Sequence, residues 1–210
     1  MASLEVGKVQ IYTGDGKGKT TAALGLALRA TGYGLDVFML QFAKKLHCAE
    51  HDAAPRLGLR IVQADRDTPE ACAAQILELA REQISQVDVL ILDELGEAMR
   101  RGFVTREDIE ALITIKPATT ELVLTGRGLL PLANLADLVT EMRPIKHYFD
   151  EGLLARQGIE YQSGTWGRSF SAGTWGHSCL PTVQKSILHS NLPYQKQQTY
   201  DQCQRPSRSD

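Results

Sequence analysis

Apolar positions along this chain follow two rhythms. Nearly continuous apolar runs occupy residues 8–13, 36–42, 59–63, 87–94, 121–125 and 138–142. Runs of that length, bounded by turn-forming residues, read as strands, the first of them buried on both faces. Between them apolar residues recur at helical spacing. The run Ala22-Ala23-Leu24-Gly25-Leu26-Ala27-Leu28 lies in a predicted helix over 19–31, ended by Gly32 and Gly34. Thr68-Pro69-Glu70 gives a second helix its cap, first-turn proline and acid, and Ala73, Ile76, Leu77, Ala80 and Ile84 give it one apolar face. Gly102 ends a short helix, and Thr105 caps another that Pro117 closes. Residues 43–56 have no period and read as a long loop. Strands alternating with helices predict an α/β fold, a parallel sheet covered by helices on both faces.

The chemistry starts after the first strand. Thr13-Gly14-Asp15-Gly16-Lys17-Gly18-Lys19-Thr20-Thr21 stands between a strand and a helix, the context of a phosphate-binding loop. Glycines let main-chain N–H groups turn inward to face an anion, and the positive end of the helix points to the same place. Lys19 supplies a cation for phosphate oxygens, and the Thr20 hydroxyl is a ligand for Mg²⁺. This makes the expected fold P-loop NTPase-like. The spacing departs from Gly, four residues, Gly-Lys-Ser/Thr: the opening position is Thr13, and counting from Gly14 the loop is one residue short.

Other candidates follow from position. The strand over 87–94 ends in Asp93 and Glu94; a carboxylate at such a strand end holds Mg²⁺ directly or through water. In extended backbone the two point opposite ways, so spacing does not choose between them. Arg127, in Gly126-Arg127-Gly128, follows a strand at the end where ligands bind in open α/β sheets. A loop arginine paired with an acid is the alternative. Arg29, ten residues after Lys19, reads from spacing as a solvated charge. His47 and His51 are four apart, but no third metal ligand lies nearby, and they read as loop histidines. Arg143, Lys146 and His147 make a small basic cluster.

Composition narrows the classes. The 210 residues are 43% hydrophobic and carry a net charge of -2, ordinary for a soluble globular protein and giving no reason to expect nucleic acid. No apolar run reaches membrane-spanning length and no secretion signal opens the chain, so a cytoplasmic protein without a membrane partner is expected. Cys48, Cys72, Cys179 and Cys203 form no CxxC pair. Residues 162–210 are rich in Ser and Gln, hold no Glu and lack apolar period. They read as a disordered tail behind a domain over 1–161.

The motifs together resemble the P-loop ATP:corrinoid adenosyltransferases, the cob(I)alamin or cob(I)yrinic acid a,c-diamide adenosyltransferases. The resemblance runs from about residue 7 to 161. It rests on Tyr12-Thr13-Gly14-Asp15-Gly16-Lys17-Gly18-Lys19-Thr20-Thr21-Ala22-Ala23, Leu92-Asp93-Glu94-Leu95, Thr125-Gly126-Arg127-Gly128, Ala136-Asp137-Leu138-Val139-Thr140-Glu141-Met142-Arg143, Ile145-Lys146-His147 and Gly158-Ile159-Glu160-Tyr161. The short loop is itself typical of that family. The resemblance implies transfer of the 5′-deoxyadenosyl group of ATP to Co(I) of a corrinoid, with triphosphate leaving. It implies ATP as substrate with Mg²⁺, Mn²⁺ being the alternative, a reduced flavoprotein as electron donor, and a homodimer. By the same resemblance Gly14, Asp15, Gly16, Lys17, Gly18, Lys19, Thr20 and Thr21 bind the triphosphate. Arg29 joins them as an arginine facing the phosphates, and Glu94, with Asp93 beside it, is the metal acid.

One stretch departs from the family. Its members carry aromatic residues between the third strand and the next helix, where the corrinoid's lower face is handled. Here residues 62–69 read Val62-Gln63-Ala64-Asp65-Arg66-Asp67-Thr68-Pro69, shorter and without aromatics. The competing functions are a phosphoryl-transfer enzyme or ATPase on the same fold, and a regulatory nucleotide-binding module.

Overall fold

The computed structural model describes residues 2–42, 48–63, 69–156 and 158–160. Six strands form one sheet in the order β3-β2-β4-β5-β1-β6, and every pairing is parallel. The strands are β1 (Val9–Thr13), β2 (Val37–Gln41), β3 (Arg60–Gln63), β4 (Val89–Asp93), β5 (Glu121–Thr125) and β6 (Leu138–Glu141). The helices are α1 (Lys19–Tyr33), α2 (Ala49–Ala53), α3 (Pro69–Gln83), α4 (Leu95–Arg100) and α5 (Arg106–Ile115).

β2, β4 and β5 are buried along their whole length, which is why their sequences are apolar without alternation. Ala23, Ala27 and Ala30 of α1 pack against Val37, Met39, Val89, Ile91 and Val123. Alanines at that helical spacing let the helix lie close on the sheet. Each large side chain removed from water there contributes roughly 1.5–3 kcal/mol. Strand alternation turns Phe38, Leu40, Leu90, Leu92, Leu122 and Leu124 to the opposite face, where they too are buried.

Three sequence expectations need adjusting. β1, expected to be buried on both faces, alternates buried and half-buried residues, because it lies next to the edge strand β6. α1 runs through Gly32 and stops at Gly34, whose φ of 92° suits a glycine cap. Within residues 43–56, expected as loop, the chain from Ala49 forms α2 and enters a 3₁₀ turn, Ala54–Leu57; two short turns give too few repeats for a period to emerge. β6 forms where expected and is exposed at all four residues. It is an edge strand joined to β5 by a 3₁₀ turn, Leu130–Leu135. Thr68, His47, residues 64–67 and the tail over 162–210 lie outside the described residues.

Because all strands are parallel, their carboxyl ends share one side of the sheet. Thr13, Gln41, Asp93 and Thr125 end β1, β2, β4 and β5 there, at the edge where open α/β sheets bind ligands.

Candidate active site

The loop between β1 and α1 is braced from behind. Met142 donates its N–H to Thr13 O, and Gly16 donates its N–H to Met142 O, both at 2.8 Å. Gly14 takes φ 95°, and a Cβ there would lie 2.4 Å from Met142 O. Only glycine meets both demands. Thr13, the departure from the usual opening glycine, also has a structural role. Its buried hydroxyl accepts the Leu129 N–H at 3.1 Å, tying the loop's first residue to the turn after β5.

Lys19 folds back over this loop. Its Nζ donates to Gly14 O at 2.8 Å and Gly16 O at 2.7 Å. An ammonium has three hydrogens, so one remains for a phosphate oxygen. Burial pulls the Lys19 pKa below its ordinary value, and the positive charge of Arg127 adds to this; Glu94, Asp15 and Asp93 oppose it. The sequence-predicted residues Asp15, Lys19, Asp93, Glu94 and Arg127 are therefore electrostatic neighbours.

Thr20, in the first turn of α1, donates its hydroxyl hydrogen to Asp93 Oδ1 at 2.9 Å. Thr125 Oγ1 donates to the same oxygen at 2.6 Å and accepts the Glu94 N–H at 3.2 Å. Gln41 Nε2 donates to Asp93 Oδ2 at 3.1 Å. Asp93 is fully buried, a position a carboxylate holds only with such donors. The pair that spacing left open differs here: Asp93 meets Thr20, while Glu94 and Asp93 both act on the Lys19 charge.

Glu94 has φ 58° and ψ 26°, and among the described residues it is the one non-glycine with positive φ. That left-handed conformation costs roughly 1–2 kcal/mol. The junction is held by close backbone approach: a Cβ on Gly96 would lie 2.0 Å from Arg127 O. That contact brings the Arg127 loop against the start of α4.

The residues fit a hard cation. With its hydrogen on Asp93, the Thr20 hydroxyl offers lone pairs outward, and Asp93 adds a carboxylate; hard oxygen donors suit Mg²⁺. Among the described residues no group of three or more His, Cys, Asp or Glu side chains gathers to hold a metal. A cation here depends on nucleotide phosphates and water for its remaining ligands, as Mg²⁺ commonly does.

Other candidates are not gathered. Arg29 is exposed on α1, about 15 Å along the helix from Lys19 by helical rise. Within one chain it does not reach the loop. Thr21 is exposed in the first turn. His51 lies on α2, with Nδ1 accepting the Cys48 N–H at 2.9 Å and Nε2 on Gln41 Oε1 at 2.7 Å.

Sequence reasoning missed several partners. Gln41 carried a signal, a polar residue closing an apolar strand in register with Asp93. Glu160 stood in a motif of the resemblance, but nothing in the sequence pointed to its partners. Its carboxylate pairs with Lys17 at 2.9 Å and Arg156 at 3.2 Å, and accepts the Tyr148 hydroxyl. Arg156 also lies over the Tyr148 ring at 4.9 Å. Arg156, Tyr148 and Lys17 hold the Glu160 carboxyl far below the ordinary carboxylate range. The segment after β6 is thereby tied to the loop.

A parallel sheet with a glycine loop, a lysine and a threonine at a helix start, and a buried aspartate beside them define a P-loop nucleotide-binding protein. Residues 5–161 match the family described as ATP:corrinoid adenosyltransferase BtuR/CobO/CobP. The corrinoid adenosyltransferase CobA of Salmonella typhimurium is 32% identical over 174 residues, 76% of this chain and 88% of that protein. The corrinoid adenosyltransferases of Escherichia coli K12 and Pseudomonas aeruginosa are each 33% identical, over 75% of this chain and 87% and 85% of those proteins. Among solved structures, a KaiC-like protein from Pyrococcus horikoshii superposes with a TM-score of 0.49 at 18% identity, over 67% of this chain and 74% of that one. The chain belongs to the ATP:corrinoid adenosyltransferase family, enzymes that transfer the adenosyl group of ATP to a corrinoid.

Proposed function

We propose that this chain moves the 5′-deoxyadenosyl group of ATP onto Co(I) of a corrinoid and releases inorganic triphosphate, in adenosylcobalamin biosynthesis or salvage. The electron pair of Co(I) forms the bond to C5′, the C5′–O5′ bond breaks, and its electrons leave on the triphosphate oxygen. The nucleophile belongs to the substrate, so no Ser, Cys or His nucleophile is required.

The protein's work is positioning and charge. The loop over 14–21 binds the triphosphate through main-chain N–H groups, the Lys19 ammonium and the Thr20 hydroxyl. Lys19 and Arg127 offset negative charge as it gathers on the leaving oxygen. Thr20 and Asp93 hold Mg²⁺, or Mn²⁺ in its stead, and Glu94 completes the acidic side. When bound, the cation neutralises phosphate charge. Residues 1–161 are the catalytic domain. A reduced flavoprotein supplies electrons, the setting is cytoplasmic, and the assembly is a homodimer.

The observation that carries the site assignment is the Thr20–Asp93 contact beside Lys19. The test is anaerobic incubation with ATP, Mg²⁺ and chemically reduced corrinoid. A Co(I) absorbance that decays as triphosphate accumulates supports the proposal. ADP with phosphate would make the chain an ATPase, and unchanged ATP a binding module.

A further inference from the structure

Asp93 is held on both oxygens, and the hold on Oδ2 continues outward. Gln41 pairs in register with Asp93 across the β2–β4 ladder and is fully buried. Its Nε2 donates to Asp93 Oδ2 at 3.1 Å, and its Oε1 meets His51 Nε2 at 2.7 Å. A carboxylate only accepts, so the amide nitrogen must face Asp93 and the amide oxygen must face His51. The oxygen in turn only accepts, so His51 Nε2 carries a hydrogen. On the other side of the ring, Nδ1 accepts the Cys48 N–H at 2.9 Å and therefore carries none. The two neighbours together fix His51 as the neutral Nε2–H tautomer.

This arrangement has a mechanical consequence. The Gln41 amide can turn end for end about its last side-chain bond. Turned, its oxygen would face the Asp93 carboxylate and repel it, and Oδ2 would lose the Gln41 donor. The Nε2–H of His51 favours the correct orientation. We propose that His51 is a positioning residue that acts through Gln41 on Asp93, keeping the carboxylate turned so that Oδ1 receives the Thr20 hydroxyl and both face the nucleotide's cation. Hydrogen bonds behind a ligand typically govern metal affinity by about 10–100-fold. This inference rests on the reading of Asp93 and Thr20 as the cation's holders.

The test uses the full chain with ATP and Mn²⁺ but no corrinoid, so that no turnover intervenes. Unbound Mn²⁺ is followed by electron paramagnetic resonance. His51→Ala is expected to weaken Mn²⁺ binding to the ATP complex about tenfold. His51→Gln, whose amide N–H reaches a similar point, is expected to restore most of it. In turnover, the KM for corrinoid should stay at the wild-type value while the Mg²⁺ requirement rises. Asp93→Asn is the control for the underlying reading. Normal affinity in His51→Ala while Asp93→Asn loses it overturns the inference alone. Normal affinity in Asp93→Asn overturns the metal role of Asp93 and the inference with it. Failure of His51→Gln to restore affinity reduces His51 to a packing residue. A measurement on the unaltered protein guards against variants that do not fold. Long-range ¹H–¹⁵N spectra at neutral pH should display His51 as the Nε2–H tautomer, and the Nδ1–H form would overturn the proposal.

Discussion

The Thr20 hydroxyl reaches Asp93 Oδ1 over 2.9 Å, joining residues 73 positions apart. The contact ties the first turn of α1 to the end of β4. It sets the direction of the Thr20 lone pairs, because the hydroxyl's one hydrogen is committed to the carboxylate. Burial of Asp93 strengthens that commitment, since an unpaired carboxylate there would be costly. The site is thus oriented by the protein before any ligand contributes, as electrostatic preorganisation requires.

Lys19→Ala is expected to abolish adenosyl transfer while leaving a cooperative melt. The side chain's two carbonyl bonds lie within the loop, away from the apolar core. Loss of one charge-assisted phosphate bond weakens ATP binding by roughly 1.5–3 kcal/mol. Calorimetric ATP titration and a thermal melt check both halves. Near-normal turnover in this variant would remove the loop from the mechanism.

Glu94→Gly separates strain from function. Glycine relieves a left-handed φ costing roughly 1–2 kcal/mol but loses about 0.5–1 kcal/mol to greater freedom when unfolded. The variant should therefore melt within about 1 kcal/mol of wild type by these magnitudes. Its turnover should fall at least as far as that of Glu94→Gln, which removes only the charge. A large loss of stability with normal turnover would make Glu94 a structural residue.

Glu97 gives a pH prediction. Arg100 first, then Arg101, hold its carboxyl down from 4.5 to about 2 against the effect of burial. A depressed carboxylate contributes stability that is fully present above its unfolded pKa and is lost as pH falls through the folded one. The window is therefore 4.5 down to about 2. Glu97→Gln should melt below wild type at neutral pH, and the gap should close across that window. A gap that stays constant would mean the pairs contribute nothing in solution.

Much of this was legible in the sequence because it is local. Apolar runs announced β1 to β6, the glycine run announced the loop between β1 and α1, and Thr105 announced a helix cap, with Asp108 N–H on Thr105 Oγ1 at 3.2 Å. What was not legible depends on the order of strands. That β2 lies beside β4, and so brings Gln41 against Asp93, follows from topology that spacing does not encode. Glu160 meets Lys17 across 143 positions, through a segment with no periodicity. The αL turn at Glu94 was hidden because nothing in its residue type suggests a positive φ. Arg29 came from resemblance alone, and the single chain leaves it at the far side of α1.

Truncation tests where the domain ends. The family match stops at residue 161, and the removed stretch lacks apolar residues at a spacing that would offset its ordering entropy. A chain of residues 1–161 is expected to melt cooperatively and bind ATP as the full chain does. A chain of residues 1–155 also loses Arg156 and Glu160, and with them the partner of Lys17; it should melt lower. Insolubility of the 1–161 chain would mean the tail packs on the domain.

The last prediction concerns the corrinoid's lower face. Making Co(I) requires cobalt to lose its lower ligand, after which Co(II) is easier to reduce. Aromatic side chains on that face would exclude water, and a dry enclosure favours the less charged, lower-coordinate state. This chain has no Phe, Tyr or Trp between Phe42 and Phe103. Phe42 is buried behind the end of β2, its N–H on Asp93 O at 3.0 Å. Tyr148 is engaged by Glu160 and Arg156. Phe149, 60% exposed, is the most exposed of these three. The enzyme is therefore expected to alkylate chemically prereduced Co(I) corrinoid well and to assist reduction of Co(II) corrinoid weakly. Turnover with prereduced corrinoid is compared with turnover from Co(II) corrinoid plus a reduced flavoprotein, for wild type and Phe149→Ala. Phe149→Ala should slow only the second reaction. Equal wild-type rates in both reactions, or a four-coordinate Co(II) signal as strong as in an aromatic-bearing relative, would refute the expectation.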